Sequence, residues 1–218
     1  MSRVIVFGGH GRIALLLASL LAARGDEITG VIRNPDHAAD VEAAGASALV
    51  ADVERMDTEA LADIIRGHDA VVWSAGAGGG DPARTYAVDR DAAQRSMDAA
   101  EQAGVQRYVM VSWIGSTAEH GVPEDDSFFP YADAKWAADE HLRASSLAGT
   151  ILGPGSLTFD DPTGRIRIDP EGKGAVSRAD VAAVIVAALA NPGTIGRTIR
   201  FGNGDAESSL PIAEALAG

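Results

Sequence analysis

The chain has 218 residues, of which 46 % are hydrophobic, no cysteine and a formal net charge of −13. This size suits one hydrophobic core, the absence of cysteine excludes disulfides, thiolate chemistry and Cys-bound zinc, and the acidic balance argues against nucleic acid or an anionic membrane as partner. The start, MSRVIVF, lacks the features of a signal peptide, and no apolar run is long enough to span a bilayer, so we expect a cytoplasmic protein.

Short β-branched segments alternate with longer Ala-rich segments along most of the chain. The predicted strands are Arg3–Phe7, Glu27–Ile32, Ala48–Ala51, Ala70–Trp73, Arg107–Ser112 and Thr150–Leu152. The predicted helices are Arg12–Ala23, Pro35–Ala44, Thr58–Arg66, Arg84–Ala103 and Tyr131–Ser145. Glycines follow the first four helices, where a helix-ending glycine is common. This alternation is typical of βαβ units, so we predict an α/β fold with a doubly wound parallel sheet.

The alternation loosens after Gly153. Residues 153–176 are rich in Gly, Pro and Asp and contain a strand-like RIRI, and a helix is predicted over Arg178–Ala190. A strand-like TIRF and a short final helix follow. We expect one domain over 1–218, in which 153–176 and 198–218 form a small cap beside the sheet.

The turn between the first strand and the first helix reads FGGHGRIA. Gly8, Gly11 and Ala14 are spaced three apart, and counting from Gly9 gives G-x-G-x-x-A. Such glycines permit a tight turn and the close approach of a pyrophosphate, which the helix N-terminus attracts. An ordinary tight turn is the alternative. The strand before and the helix after favour a dinucleotide site and a Rossmann-like fold. The cofactor-binding residues expected here are Gly8, Gly9, Gly11, Arg12 and Ile13.

In such folds the residue at the end of the second strand determines the preference for NAD or NADP. An acidic residue there binds the ribose 2′-hydroxyl of NAD, whereas an arginine binds the 2′-phosphate of NADP. This chain has Arg33 and Asn34 at that position, and Arg12 offers a second positive group. We therefore predict NADP, with NAD possible. If Arg33 is only a solvated strand-end residue, this prediction fails.

Two further strand ends are expected to border the cofactor. Asp52 ends the third strand, on the adenine side. The fourth strand runs into the glycine-rich WSAGAGGGD, whose Ala75 and Gly76 we expect at the cofactor. A flexible surface loop is the alternative interpretation of this segment.

Several stretches, in their order and spacing, resemble the atypical short-chain dehydrogenase/reductase superfamily, and within it the NmrA-like or NAD(P)H-binding branch. They are VIVFGGHGRIA, VIRNPDH, VVWSAGAG, YAVDRDAAQRSMDAAEQAGVQRYVMVSWIGS, YADAKWAADEHLRAS, TILGPGSLT and VSRADVAAVIVAAL. The resemblance implies a Rossmann core, NAD(P) binding and a small substrate-capping segment. Members of this branch include reductases of small molecules and cofactor-binding redox sensors without turnover.

Tyr131 and Lys135 form Y-x-x-x-K, so they share one helix face. The resemblance implies that Tyr131 exchanges the substrate proton and that Lys135 binds the nicotinamide ribose. A nearby ammonium also favours the phenolate, so we expect Lys135 to lower the pKa of Tyr131. A chance pair on a solvated helix is the alternative.

The third catalytic residue of the superfamily is a serine that orients a substrate carbonyl. Ser112 ends the fifth strand, but the superfamily's usual position, one or two places later, holds Trp113 and Ile114. Ser112 is our candidate, with Ser116 or Thr117 as alternatives from the following loop. Trp113 is either a wall for an aromatic substrate or core packing.

Two loop segments complete the expected site. Pro154 belongs to a Pro-Gly segment that the resemblance places beside the nicotinamide. His120 is a possible proton donor or merely exposed, and the acidic EDD that follows it would repel an anionic substrate. The scattered histidines give no metal site.

Together these features predict an NADP(H)-dependent oxidoreductase that transfers hydride to a small planar acceptor, such as a quinone, a flavin or a carbonyl or enone compound. A non-catalytic NAD(P)-binding redox sensor of the NmrA-like type is the alternative. A nucleotide-sugar epimerase is a weaker one, because the chain is short for the substrate domain of those enzymes. We expect a monomer or homodimer that binds no nucleic acid and no membrane.

Overall fold

The computed structural model describes residues 1–78, 80–170, 174–204 and 207–217. The gaps fall in the predicted glycine-rich loop, at Gly79, and in the two predicted cap stretches. Lys173 also lies outside the described residues.

A nine-stranded sheet forms the centre of the molecule. Its order is β11-β8-β10-β6-β5-β4-β1-β2-β3, where the strands are β1 (Arg3–Phe7), β2 (Glu27–Ile32), β3 (Ser47–Val50), β4 (Ala70–Trp73), β5 (Arg107–Val111), β6 (Ala148–Pro154), β8 (Arg165–Ile168), β10 (Thr198–Gly202) and β11 (Leu210–Pro211). Neighbours from β3 to β10 are parallel, whereas β8 pairs antiparallel with both β10 and β11. Strand order reverses between β1 and β4, which places a crevice at their carboxyl ends.

Helices cover both faces of the sheet. They are α1 (Arg12–Ala23), α2 (Ala38–Ala43), α3 (Thr58–Ile65), α4 (Pro82–Thr85), α5 (Ala93–Ala103), α6 (Phe129–Ala144), α7 (Arg178–Ala190) and α8 (Ile212–Ala215). Alternate residues of β1 face opposite cores: Val4 and Val6 pack with α1 and α7, whereas Ile5 and Phe7 pack with α3 and α5. The predicted Rossmann-like, doubly wound sheet is thus confirmed.

The predicted elements recur with small changes at their ends. The four glycines expected to end helices all have positive φ. The largest change concerns the predicted helix Arg84–Ala103, which begins at Pro82 and contains a π-helical segment over Tyr86–Ala92. Such widened turns are common at functional sites, and this one carries the buried Asp89.

The stretches expected to form a cap largely extend the sheet. β10 pairs with β6, and β8 pairs with β10. Ile199 and Phe201 of β10 are buried in the hydrophobic core, which favours this position for the strand. A separate two-stranded sheet is formed by β7 (Ser156–Thr158) and β9 (Ala175–Ser177). Within the described residues, no helix is both long and apolar enough to cross a membrane.

Candidate cofactor site and active site

Two neighbouring cavities lie at the carboxyl ends of the central strands. The β2-side cavity, of about 350 Å³, is lined by Gly8, Gly11, Arg33, Asp52 and neighbouring residues. The β5-side cavity, of about 510 Å³, is lined by Ile13, Ser112, Trp113, Tyr131, Lys135, Pro154 and their neighbours. Both cavities include Ser74, Ala75 and Gly76, so together they form one crevice across the point where strand order reverses.

The glycine turn fits a diphosphate. Gly8 has φ +81°, and a Cβ there would lie 2.7 Å from the Ala75 Cα. The Gly11 amide donates to the Gly8 carbonyl at 2.7 Å, which tightens the turn. Among the described residues, no side chain caps the N-terminus of α1 and no acidic residue lies in its first turn. Its N–H groups and partial positive charge therefore remain available to an anion.

Gly9 and Arg12 make packing contacts in this structure. A Cβ on Gly9 would lie 2.7 Å from the Gly30 Cα, so this glycine allows the turn to pack against β2. The Arg12 guanidinium lies 4.5 Å from the ring centroid of Phe159, and the Arg178 guanidinium lies 4.1 Å from the same centroid. Neither Gly9 nor Arg12 is among the residues that line these two cavities, and their expected contacts with a cofactor stay a prediction.

The β2-side cavity carries exposed charges. The Arg33 side chain is 58 % exposed and lies 3.8 Å from Glu54, which is also 3.4 Å from Arg84. Asp52 pairs with Arg55 at 3.4 Å. Because Glu54 is shared at long distances, Arg33 can turn toward a ligand.

Sequence reasoning missed other residues of this cavity: Glu54, Arg84, His10 and His37. The two histidine rings stack at 3.7 Å between centroids, and His10 Nε2 lies 2.9 Å from Asp40 Oδ2. His10 lies inside the glycine motif and His37 just beyond β2, so their positions next to predicted site residues were the available signal.

Lys135 lies at the base of the β5-side cavity and is only 1 % exposed. It is held at the end of β5, where its Nζ donates to the Val111 carbonyl at 2.7 Å. Burial lowers the pKa of Lys135, and the carboxylates of Asp89 and Asp139 oppose this effect. One cation is thus enclosed with two carboxyl groups.

Asp89 connects this buried charge to the loop after β4. Its Oδ2 accepts from the Ala77 amide at 2.9 Å, and a Cβ on Gly76 would come within 3.1 Å of its Oδ1. Burial raises the pKa of Asp89, while Lys135 and the Ala77 amide act to lower it. The sequence offers no local sign of this role, because Asp89 depends on the π-helical segment and on a distant loop.

Asp139 organises two serines. Its Oδ2 accepts from Ser112 Oγ and from Ser116 Oγ, both at 2.6 Å. Its buried Oδ1 has no hydrogen-bond donor within the described part of the chain. Burial raises the pKa of Asp139, and Lys135 and the two serines oppose that rise. Asp139 lies one turn after Lys135, so extending the helical spacing from Tyr131 through Lys135 would have found it.

Tyr131 lines the β5-side cavity with Lys135, but its predicted activation is wrong. Burial raises the pKa of Tyr131 above its ordinary value, and Asp89 and Asp139 raise it further. The ammonium of Lys135 does not lower it, because this cation bonds to the Val111 carbonyl and is enclosed with two carboxyl groups. Tyr131 therefore stays a phenol, suited to donating a proton.

Aromatic side chains form one wall of the β5-side cavity. The Trp113 ring meets the Phe128 ring edge-on, with centroids 5.1 Å apart, and Phe128 lies 5.0 Å from Tyr131. Of the alternatives to Ser112, Ser116 is buried against Asp139, and neither it nor Thr117 lines the cavity. His120 instead contacts the Phe129 ring at 5.4 Å. The described residues contain no cluster of His, Asp or Glu arranged to hold a metal ion.

A third cavity, of about 810 Å³, adjoins this wall and shares Gly76, Asp89, Phe128 and Tyr131 with the β5-side cavity. Asp81, Glu124 and Asp126 also line it. The acidic loop identified in the sequence thus lines the same cavity as Tyr131, where its charge disfavours an anionic ligand.

The fold and the glycine turn agree with the comparisons to known proteins. A family described as NAD(P)H-binding matches residues 8–192. The chain belongs to this NAD(P)H-binding family. Its relatives include the "Uncharacterized sugar epimerase YhfK" of Bacillus subtilis, 36 % identical over 217 residues and 98 % of each chain.

Solved structures extend the family's match to the whole fold. One from Bacillus halodurans, described as an NAD-dependent epimerase/dehydratase, is 33 % identical with a TM-score of 0.89 and covers 100 % of this chain and 99 % of its own. The oxidoreductase ylbE of Lactococcus lactis is 28 % identical with a TM-score of 0.85 over 99 % and 95 %. These neighbours confirm an atypical short-chain dehydrogenase/reductase protein. Family membership supports a nicotinamide dinucleotide as the ligand of the crevice, without distinguishing NADP from NAD.

Proposed function

We propose that this chain is an NADP(H)-dependent oxidoreductase that reduces a small planar acceptor such as a quinone, a flavin or an enone. The proposal rests on the composition of the β5-side end of the crevice. There Tyr131 and the buried Lys135 face a cavity with the aromatic wall of Trp113 and Phe128. A flat apolar acceptor suits such a wall.

The cofactor would lie along the crevice and, when bound, would supply the hydride. We assign the diphosphate to the glycine turn and the N-terminus of α1, and the adenine side to Asp52. Ala75 and Gly76 would line the middle of the crevice, where backbone can approach closely. Lys135 would hold the ribose and Pro154 would border the nicotinamide.

Tyr131 would supply the proton in this reaction. Because its pKa is raised by burial and by two carboxylates, the phenol keeps its proton at neutral pH. A phenolate left beside these carboxylates is unfavourable, so Tyr131 is a weaker acid than an ordinary phenol. This property favours acceptors that need little acid assistance, such as quinones and flavins.

Arg33 supports NADP over NAD in this proposal. It lines the β2-side cavity, and β2 ends without an acidic residue for the ribose 2′-hydroxyl. A guanidinium suits a phosphate group, and Glu54 is its competing partner.

A cofactor-binding sensor is the second candidate, favoured by one observation. Ser112 is bonded to Asp139 rather than free to activate a carbonyl, and Lys135 does not activate Tyr131. Sugar epimerisation is the third, since YhfK matches this chain over 98 % of both lengths. Chain length therefore does not separate this chain from a protein with that name.

Calorimetric titration of the pure protein with NADPH, NADP⁺, NADH and NAD⁺ tests the proposal, followed by a quinone and flavin screen. We expect the phosphorylated pair to bind more tightly and an acceptor to be reduced. Tyr131→Phe should then lower turnover of acceptors that need a proton while leaving cofactor binding intact. Binding without turnover of any acceptor would favour the sensor, and binding of none of the four nucleotides would contradict both candidates.

A further inference from the structure

The hydrogen bond between Ser112 and Asp139 determines which way the serine hydroxyl points. Ser112 lines the β5-side cavity, whereas Ser116, the other serine on the same carboxylate oxygen, does not. Both Oγ–Oδ2 distances are 2.6 Å, within the range of bonds from a hydroxyl to an ionised carboxylate.

An ionised carboxylate can only accept hydrogen bonds, so both serines must donate to it. A serine hydroxyl has a single proton, and that of Ser112 is used on Asp139. Burial raises the pKa of Asp139, whereas Lys135, the two serine hydroxyls and Arg143 favour its ionised form. The two short bonds converging on Oδ2 are the geometric evidence that this oxygen accepts from both serines. Toward the cavity, Ser112 then presents lone pairs alone, which suit an N–H or O–H group and do not suit a carbonyl oxygen.

We propose that Asp139 is a positioning residue that keeps Ser112 a hydrogen-bond acceptor toward the cavity, where it receives the carboxamide N–H of the nicotinamide. This inference rests on the proposed function. It replaces the expected role of Ser112, which was to orient a substrate carbonyl. Activation of an acceptor then falls to Tyr131, the phenol on the same cavity.

The place of Ser112 in the sheet supports the nicotinamide as its partner. Ser112 follows β5 directly, and its amide donates to the Leu152 carbonyl of β6 at 2.7 Å. Ile114 makes the matching bond to the Pro154 carbonyl at 2.9 Å. Ser112 therefore directly follows Val111, the carbonyl partner of Lys135, and it lines the same cavity as Pro154. Lys135 and Pro154 are the residues assigned to the ribose and the nicotinamide.

A pair of ligands tests this polarity. NADP⁺ and its 3-acetylpyridine analogue differ only in that a methyl group replaces the carboxamide amino group. Calorimetry gives the ratio of their dissociation constants for the wild type and for Ser112→Ala. Any intrinsic difference between the ligands cancels when the two ratios are compared. We expect Ser112→Ala to reduce the preference for NADP⁺ by about three- to tenfold.

Two further variants separate positioning from mere presence of the serine. Ser116→Ala is the matched control, since Ser116 also donates to Asp139 Oδ2 but does not line the cavity. This variant should keep the wild-type ratio of dissociation constants. Asp139→Asn can donate both amide hydrogens to the serines, which frees the Ser112 proton for the cavity. Its ratio should shift toward the acetylpyridine analogue, past that of Ser112→Ala.

The possible results separate the two proposals. A ratio unchanged by Ser112→Ala overturns the inference and leaves the proposed function standing. Failure of the wild type to bind either ligand overturns the proposed function and the inference with it. If Asp139→Asn does not fold, Ser112→Ala and Ser116→Ala still decide the outcome.

Discussion

The two ends of the crevice use charge in opposite ways. In the β2-side cavity, Arg33 is 58 % exposed and shares Glu54 at 3.8 Å with another arginine. In the β5-side cavity, Lys135 is 1 % exposed and lies with Asp89 and Asp139, which are 1 % and 0 % exposed. One end offers loosely held charges to a ligand, whereas the other holds its charges mainly against each other.

This difference predicts that charges at the exposed end affect ligand affinity, whereas charges at the buried end affect the stability of the fold as well. Exposed charges are screened by solvent and contribute little to folding, so changing them should alter ligand preference alone. Buried charges are costly unless each is compensated, so changing one should affect stability as well as binding.

Lys135→Met should give the largest effect, because it leaves two buried carboxyl groups without their cation. We expect a loss of about 3–5 kcal/mol in the free energy of unfolding. Urea unfolding at about pH 5 and about pH 8 measures it. Loss of Lys135 raises the already raised pKa values of Asp89 and Asp139 further. The folded variant therefore binds protons more tightly than the unfolded chain, and its stability should fall as pH rises above the ordinary carboxyl range, more steeply than that of the wild type.

Arg33→Met is the matched control for this prediction. It removes one cation from the exposed end, so we expect a change below about 1 kcal/mol and little dependence on pH. Equal losses of stability for the two variants would show that burial does not distinguish the charges at the two ends of the crevice.

Gly8→Ala should give the next largest effect, because the turn joins the two cavities. An alanine at this position would keep a positive φ, and its Cβ would lie 2.7 Å from the Ala75 backbone. We expect a loss of about 2–5 kcal/mol in the free energy of unfolding and loss of dinucleotide binding. Gly25→Ala is the control, with φ +87° and no atom within 4 Å of the added Cβ. It should cost only about 1–2 kcal/mol and leave binding unchanged. Thermal unfolding and calorimetry distinguish these outcomes.

At the exposed end, we expect changes in NADPH affinity without changes in stability. Arg33→Ala should weaken NADPH binding about tenfold and leave NADH binding nearly unchanged. Glu54→Gln should strengthen NADPH binding about two- to fivefold, because it frees Arg33 and removes a negative charge beside the 2′-phosphate. Arg55→Ala is the control, since Arg55 is 87 % exposed and outside the cavity. If Arg55→Ala matches Arg33→Ala, general charge explains the affinity.

The fold could be predicted, as could the placement of Gly8, Gly11, Arg33 and Asp52 around one cavity, because local patterns determine them. A turn, a strand end and a helix start are each encoded by adjacent residues, as in FGGHGRIA and VIRNP. The strands β8 and β10 were less predictable. Their segments RIRI and TIRF were recognised as strand-like, but joining the sheet depends on the open edge of β6.

The buried end depended on contacts that no local pattern contains. Asp89 lies in the π-helical segment, and it accepts a hydrogen bond from the Ala77 amide in the loop after β4. Tyr131 and Lys135, predicted from Y-x-x-x-K to share a helix face, do line one cavity, but the expected lowering of the Tyr131 pKa is wrong. Predicting whether the pKa of Tyr131 is raised or lowered requires knowing every charge around the phenol. Of the three charged groups there, only Lys135 was assigned to the site from the sequence, whereas Asp89 and Asp139 were not.

The ionisation of tyrosine gives the smallest signal and tests the buried end directly. The chain has three tyrosines, and burial is the main reason that the pKa of each is raised, with Asp133 adding to it at Tyr86 and the carboxylates of Asp89 and Asp139 at Tyr131. At about pH 10 the folded protein should show little tyrosinate absorbance, whereas the chain unfolded in guanidinium should be about half ionised. Tyr131→Phe should match the wild type there. A tyrosinate signal near neutral pH that disappears in Tyr131→Phe would mean that Lys135 does activate the phenol. The buried end would then act as a cationic site, and Tyr131 would serve as a base as well as an acid.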